Sequence, residues 1–244
     1  MSSEQRPYFY EPELKNTLTT FILNENSSRH CIQVLRMQQN DEIELTDGNG
    51  LLATAKITLA HKKHCQTHIL NIERADPPSA GICLGISPTK NISRIEWLLE
   101  KITEIGITEI LLMDCERTER SVVRWDRLNQ ILISAMLQSR QVFLPKLSNL
   151  LKFNDIIQQN KYTNKWIAHC LPDEEKLLLG SDQPDQSQIV LIGPEGDFSQ
   201  EEIDQALKNK FRPVTLGPTR LRTETAGLVA TVLLNYSILN TYFK

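Results

Sequence analysis

Two groups of residues in this chain have types and spacing that could do chemistry. The first is Arg220, Arg222, Thr223, Glu224 and Thr225, crowded just before an apolar helical stretch near the C-terminus. The second is Glu116-Arg117-Thr118-Glu119-Arg120, with Arg124 and Arg127 close behind and Arg140 after Gln138-Ser139. A guanidinium offers a rigid fork of donors that suits phosphate oxygens, or negative charge developing on a reacting base. Two glycine-broken turns accompany these groups, Gly193-Pro194-Glu195-Gly196 and Gly217-Pro218. Glycine lets a backbone approach a ligand closely. Neither turn has the spacing of a nucleotide phosphate cradle, so a nucleoside triphosphate or a dinucleotide is disfavoured. A small neutral-to-cationic ligand held by backbone groups remains compatible. Each turn alone reads equally well as an ordinary strand-to-helix connection. Their coincidence with the arginine-rich helix start points to a site. Arg124 and Arg127, interleaved with acids, read as a solvated helix start.

These residues need elements to position them. Ile189–Ile192 is an apolar run with the length of a buried strand. Ser199 followed by Glu202 fits a capping box that opens a helix over Gln200–Asn209. A second short strand over Pro213–Leu216 precedes the Gly217-Pro218 break, and Thr219–Thr225 leads into an apolar helix over Ala226–Leu239. Upstream, Ile82–Ile86, Ile110–Met113 and Trp166–His169 read as strands. Arg94–Ile105 and Trp125–Ser139 read as helices, with Gly106 at the C-terminal stop of the first. A further helix ends at Ile156–Asn160. Strands alternating with helices predict a mainly parallel sheet covered on both faces. Ligands in such sheets bind beyond the carboxyl ends of the strands.

Residues 1–75 follow a different pattern. Thr19–Leu23, Glu42–Leu45, Leu51–Leu59 and Thr67–Ile72 alternate as half-buried strands, and Asp47-Gly48-Asn49-Gly50 is a hairpin turn between two of them. Asn26–Met37 reads as a helix capped by Ser27 or Ser28, with Cys31, Val34 and Leu35 on one face. This is a small-barrel pattern. Asp76 to Gly81, with Pro77 and Pro78, marks a linker. The expected division is therefore a β-rich domain over 1–75, a linker over 76–81 and an α/β domain over 82–244. Lys62, Lys63 and His64 form a basic hairpin tip. His30 reads equally well as a structural residue or a contact, and His169 as a structural residue, although His169, ending a strand, could also face the site.

The bulk numbers fit a soluble globular protein of 244 residues with 40% hydrophobic and 23% charged residues. A net charge of −3 gives no global field for nucleic acid, so RNA binding would need a local patch. The five cysteines are widely spaced without a CxxC pair, which argues against a zinc site or a disulfide framework and for a reducing compartment. The carboxylates show no metal-like spacing. The N-terminal stretch lacks the apolar core of a signal peptide, and no run has the length of a membrane span.

The motifs together resemble one family. Ile192-Gly193-Pro194-Glu195-Gly196 with Phe198-Ser199 and Glu202 is similar to the motif "IGPEGG-F-S-x-x-E". Leu216-Gly217 with Leu221-Arg222-Thr223-Glu224-Thr225-Ala226 is similar to "LG-x-x-ILRTETA". Both belong to the RsmE-type 16S rRNA uridine-N3 methyltransferases of the SPOUT superfamily. Glu100-Lys101, Thr103-Glu104 and Gly106 resemble the family's "EK-x-TELG", Glu116-Arg117 to Ser121 its "ERS", and Gln138-Ser139 with Pro145 its "QS…P". In the small domain, His30 with Val34-Leu35-Arg36, Asp47-Gly48, and Arg6 with Phe9 also match. Three positions depart. Asp197 stands for the second glycine of "EGG", which predicts a less tight turn. Thr219-Arg220-Leu221 shifts one arginine, and Arg140 occupies a place usually held by Gly or Cys.

The resemblance implies a PUA-like RNA-binding barrel, a SPOUT α/β domain with a trefoil knot, and S-adenosylmethionine as cofactor. It implies a cytoplasmic homodimer that needs neither metal nor membrane and acts on 16S rRNA of the small ribosomal subunit. The residues it places against the cofactor are Leu171, Ile192, Gly193, Pro194, Gly196, Leu216, Gly217, Leu221, Arg222 and Thr225. Those placed against RNA are Arg6, Arg36, Arg117, Arg120 and Arg140. Methylation of uridine N3 requires loss of the imide proton and in-line attack on the methyl. The catalytic candidates are Arg222, Arg117 and Arg120 for charge on the base, with Glu224 either accepting the proton or orienting an arginine. Two other readings remain open: a non-catalytic ribosome-assembly factor, and a SPOUT enzyme acting on tRNA ribose hydroxyls.

Overall fold

The computed structural model describes residues 6–78, 80–119, 122–171, 176–180 and 186–242. The chain forms two compact units, Met1–Pro77 with Met136–Leu144, and Pro78–Ala135 with Pro145–Lys244.

In the first unit, β1 (Tyr8–Tyr10), β2 (Thr20–Ile22), β3 (Glu42–Thr46), β4 (Leu51–Leu59) and β5 (Gln66–Arg74) form one sheet in the order β1-β3-β4-β5-β2. Only β1–β3 is parallel. Strand β4 shows why the chain folds this way. Leu51, Ala53, Ala55 and Ile57 are buried while the residues between them are not, the period-two pattern of a strand with one face on a core. Register shifts at Thr54/Ala55 and Ile57/Leu59 add the twist that curls the sheet. The hairpin turn is held by Asp47, whose Oδ1 accepts the amides of Asn49 (2.7 Å) and Leu51 (2.9 Å).

The helix of this unit differs from expectation. It comprises α1 (Glu25–Arg29) and a π-helical turn, His30–Val34. The cap is Asn24, whose side chain accepts the Ser27 amide at 2.9 Å. Ser28 is instead buried, its hydroxyl donating to the Leu23 carbonyl and accepting the Cys65 amide, both at 3.0 Å. The wider π turn breaks the 3.6-residue spacing. Cys31 therefore points into the core while Val34 (66% exposed) and Leu35 (42%) face outward. Sequence spacing also gave no sign that residues 136–144 complete this unit. The Leu144 amide donates to the Gly48 carbonyl (2.8 Å), the Gly50 amide to that of Val142 (2.9 Å), and Tyr8 Oη to that of Gln141 (2.9 Å).

The second unit is a seven-stranded parallel sheet. Its strands are β6 (Ile82–Ile86), β7 (Glu109–Asp114), β8 (Lys146–Lys152), β9 (Asn164–Ala168), β10 (Leu177–Leu178), β11 (Gln188–Ile192) and β12 (Arg212–Thr215), in the order β10-β12-β9-β11-β6-β7-β8. Every residue of β6 and β11 is buried, as strands covered on both faces require. Its helices are α2 (Ile92–Ile105), α3 (Trp125–Gln138), α4 (Phe153–Ile157), α5 (Gln200–Lys208) and α6 (Thr223–Tyr242). Cys83, Leu111, Met113, Ile189 and Leu191 pack with Phe153, Ile156, Phe198 and Ile203 of the α4–α5 side. Leu84 and Ile86 pack against α2 and α6, where a Cβ on Gly227 would lie 3.0 Å from both Ile86 and Leu98. Gly106 ends α2 in the left-handed conformation (φ 102°), and the Ser199–Glu202 capping box opens α5. Strands β1, β8 and β10 escape the sequence pattern. Helix α6 starts three residues before the expected Ala226 because Thr223–Thr225 already belong to its first turn.

Candidate ligand-binding crevice

Strands β12, β9 and β11 are neighbours, so their carboxyl ends bring three loops together. These are His169–Leu171 after β9, Gly193–Phe198 after β11 and Leu216–Arg222 after β12. The loops enclose two adjoining cavities of about 450 and 300 Å³ that share Ala168, Cys170, Ile192, Arg220, Leu221 and Ala226. This is the size range of small-molecule pockets. The two glycine-broken turns meet here. Thr223 Oγ1 donates to the Gly193 carbonyl at 3.2 Å, which fixes the start of α6 against the β11 loop. A Cβ on Gly193 would lie 3.1 Å from the Phe198 ring and 3.2 Å from its backbone nitrogen. This position therefore needs glycine for close packing; its φ is not positive.

The crevice gathers part of the expected set. Ile192 and Leu221 line both cavities, Gly193, Pro194 and Arg222 the smaller, Leu216 and Gly217 the larger. Leu171, Gly196 and Thr225 line neither. Leu171 packs on the α4–α5 core, and its carbonyl accepts Lys176 Nζ at 2.6 Å. Arg117 lies over Gly196: Nη1 donates to the Gly196 carbonyl at 2.8 Å and the Phe198 carbonyl at 3.4 Å. Its guanidinium is thus committed to the backbone of the β11 loop. Arg120 lies outside the described residues.

Glu224 is 8% exposed, and its Oε1 lies 3.7 Å from Arg94 Nε. Glu224 therefore meets an arginine of α2, neither Arg222 nor Arg117, and lines neither cavity. In the first unit, Arg6 pairs with Glu42 at 2.8 Å. Arg140 (φ 56°) pairs with Glu44, donates to the Arg6 carbonyl at 3.2 Å and stacks 5.2 Å above the Tyr8 ring. Both of these arginines are engaged with partners inside their own unit, while Arg36 (φ 57°) is exposed.

The crevice also takes in residues outside the expected cofactor-binding set. His169 is 7% exposed and lines the larger cavity with Lys176; Asp197 and Glu195 line the smaller. Asp197 adopts φ 64°, its amide donates to the Pro194 carbonyl at 3.0 Å, and the turn closes despite the side chain. Asp and Asn reach the left-handed region more readily than other side chains. The Asp197 carboxylate accepts the Phe198 and Cys170 amides, each at 2.8 Å. Burial and then Asp197 push the Cys170 thiol up from its ordinary value, against Arg220 and Lys176, so a neutral thiol faces the crevice. Away from the crevice lining, Glu202 Oε1 accepts the Glu116 amide at 2.8 Å while its Oε2 accepts the Ser199 amide at 2.9 Å. One carboxylate thereby ties the β7 loop to α5.

With the crevice at the carboxyl edge of a parallel sheet and a curled β unit before it, the chain can be compared with known proteins. The model of an RNA methyltransferase domain matches residues 76–235, and that of an RNA methyltransferase PUA domain matches 23–70. The chain belongs to the RNA methyltransferase family. A ribosomal RNA small subunit methyltransferase E of Synechocystis sp. is 31% identical over 90% of this chain and 72% of its own length. A probable rRNA-methyltransferase from Porphyromonas gingivalis superposes with a TM-score of 0.88 at 36% identity, over 97% of this chain and 99% of that one. A ribosomal RNA small subunit methyltransferase E from Neisseria gonorrhoeae, bound to S-adenosyl methionine, superposes at 0.84 with 30% identity, over 95% and 98%. The motif resemblance is thus borne out for this RNA methyltransferase, as is its PUA-like β unit followed by a parallel α/β unit. Among its described residues no helix is long and apolar enough to cross a membrane, and no group of three or more His, Cys, Asp or Glu residues could hold a metal ion.

Proposed function

We propose that this RNA methyltransferase binds S-adenosylmethionine in the crevice beyond β9, β11 and β12 and methylates N3 of a uridine in 16S rRNA of the small ribosomal subunit. The observation that carries the reading is the meeting of the two glycine-broken loops in one crevice, with Leu221 lining both cavities. The lining suits the cofactor. Ile192, Leu216, Leu221 and Ala226 offer apolar faces to an adenine, and the loop backbone offers its donors and acceptors. Glu195 sits where a sulfonium or ammonium would be favoured, with Arg220 for a carboxylate. The bound cofactor supplies an electrophilic methyl group.

The chain's own work is alignment and charge stabilisation. Holding uridine N3 in line with the methyl removes the entropic part of the barrier. Arg222, exposed at the crevice rim, is placed to stabilise negative charge on the base as the imide proton leaves. Arg117 acts indirectly by fixing the β11 loop, and Glu224 orients Arg94. The uridine enters unstacked. Of the arginines assigned to RNA, Arg36 keeps its side chain exposed, and Arg120 stays in the reading through its motif.

The same proposal includes a cytoplasmic homodimer with knotted C-terminal threading. The self-association part is supported by α2 and α6, tied by Asn235 Nδ2 donating to the Ile105 carbonyl, which carry exposed Trp97, Val232 and Tyr236; the threading and the compartment rest on the family resemblance. The test is incubation with small subunits from a strain lacking the gene, followed by mass analysis of nucleosides. 3-Methyluridine is expected. With tRNA from the same strain assayed in parallel, a ribose-methylated nucleoside there would favour the tRNA-type enzyme. No product, together with no calorimetric binding of S-adenosylhomocysteine, would favour an assembly factor. Arg222→Ala at saturating cofactor should lose most of its turnover; full activity would remove Arg222 from the mechanism.

A further inference from the structure

The position where the family motif carries a second glycine holds Asp197. A glycine would adopt φ 64° without strain, so the aspartate is not there for the turn. Its side chain does something glycine cannot. Oδ2 accepts the amide of Cys170 at 2.8 Å, and Oδ1 accepts the amide of Phe198 at 2.8 Å. Cys170 is in the loop after β9, and Phe198 is in the loop after β11. These strands pair in register up to Ala168 and Ile192. Beyond that pair the ladder ends and the loops diverge around the crevice. Asp197 adds one more cross-link past the end of the ladder, at the wall that both Cys170 and Asp197 line. Hydrogen bonds to a charged acceptor are stronger than neutral ones.

We propose that Asp197 is a positioning residue, a carboxylate strap that holds the β9 and β11 loops at the spacing the ligand requires. The strap replaces conformational freedom that a glycine-bearing loop must lose on binding. Preorganisation of this kind appears as affinity, because the ordering cost falls before the ligand arrives. It acts on the cofactor complex and on the transition state alike, so it changes cofactor binding more than turnover. The proposal rests on the reading of the crevice as a cofactor site for its ligand, while the strap itself is a property of the free chain.

The experiment compares the full-length parent with Asp197→Gly and Asp197→Asn. Hydrogen exchange of the Cys170 amide is read without ligand; calorimetry with S-adenosylhomocysteine and steady-state methyl transfer are read with it. In D197G the Cys170 amide should exchange on the order of tenfold faster, with the melting temperature unchanged or raised. Its Kd for S-adenosylhomocysteine and KM for the methyl donor should rise about five- to tenfold while kcat stays within about twofold. D197N keeps one acceptor oxygen, so it should recover part of both the protection and the affinity. Unchanged Cys170 exchange in D197G overturns the strap. Faster exchange with parental affinity overturns its role in binding. If D197G fails to fold, D197N decides by the same two readings. A parent that binds no S-adenosylhomocysteine would defeat the cofactor assignment instead, and the exchange result would still judge the strap.

Discussion

Gly193→Ala is a close test of how the crevice is built. The added methyl would sit 3.1 and 3.2 Å from two Phe198 ring carbons and 3.2 Å from the Phe198 nitrogen. The ring is 3% exposed and packs against Phe153 at 5.6 Å between centroids, so it cannot swing away freely. Overpacking of this kind costs about 1–3 kcal/mol. Replacing glycine where φ is not positive returns about 0.4–1 kcal/mol through the unfolded chain. The net loss should therefore centre near 1 kcal/mol. The disturbance also reaches the ligand, because the Gly193 carbonyl accepts Thr223 Oγ1 and the Phe198 amide donates to Asp197. S-adenosylhomocysteine should bind about tenfold more weakly, roughly 1.4 kcal/mol. All three tryptophans, Trp97, Trp125 and Trp166, lie in the second unit. Urea denaturation followed by tryptophan fluorescence thus reports on that unit alone. In a double-mutant cycle, Phe198→Leu should shrink the penalty of Gly193→Ala, since the ring is the main obstacle. An unchanged midpoint with parental affinity, or strict additivity in the cycle, would refute the steric account.

Ser199→Ala removes half of the capping box at α5 and should lower the second unit's stability by about 1 kcal/mol in the same denaturation assay. Burial raises the Glu11 carboxyl above its ordinary value, against hydrogen bonds from Ser27 and Asn24. The folded unit then holds that proton more tightly than the unfolded chain. Its contribution is greatest below the ordinary carboxylate range and is lost as pH rises through the raised value. Exchange of the first unit's core amides should show Glu11→Gln gaining on the parent as pH rises from that range; an unchanged difference would remove Glu11 as the cause. Tyr236 is 62% exposed on α6. Tyr236→Asp should shift the sedimentation profile toward monomer while leaving circular dichroism unchanged, and an unaltered profile would separate this face from self-association.

Much of the second unit was legible because its signals are local. A strand buried on both faces must be a continuous apolar run, so Ile82–Ile86 and Ile189–Ile192 stood out. Gly106 and the Ser199–Glu202 pair mark helix ends by backbone chemistry confined to one turn. Edge strands β8 and β10 were not legible, because a strand covered on fewer sides needs no uniform pattern. The first unit shows the converse. Its π turn turned Val34 and Leu35 outward in defiance of helical spacing, and Asn24, which is held by Glu11, took the cap from Ser27 and Ser28.

The motifs by themselves determined which loops matter, that Gly193 and Leu221 belong to one site, and which family the chain resembles. Tertiary structure alone decided what each charged side chain does. Arg117 bonds to loop carbonyls, Arg140 to Glu44, and Glu224 to Arg94. Asp197 looked like a defect in the motif yet joins two loops. The reason is physical. A backbone turn is specified by its own few residues, whereas a long charged side chain takes whichever distant partner the fold brings within hydrogen-bonding reach.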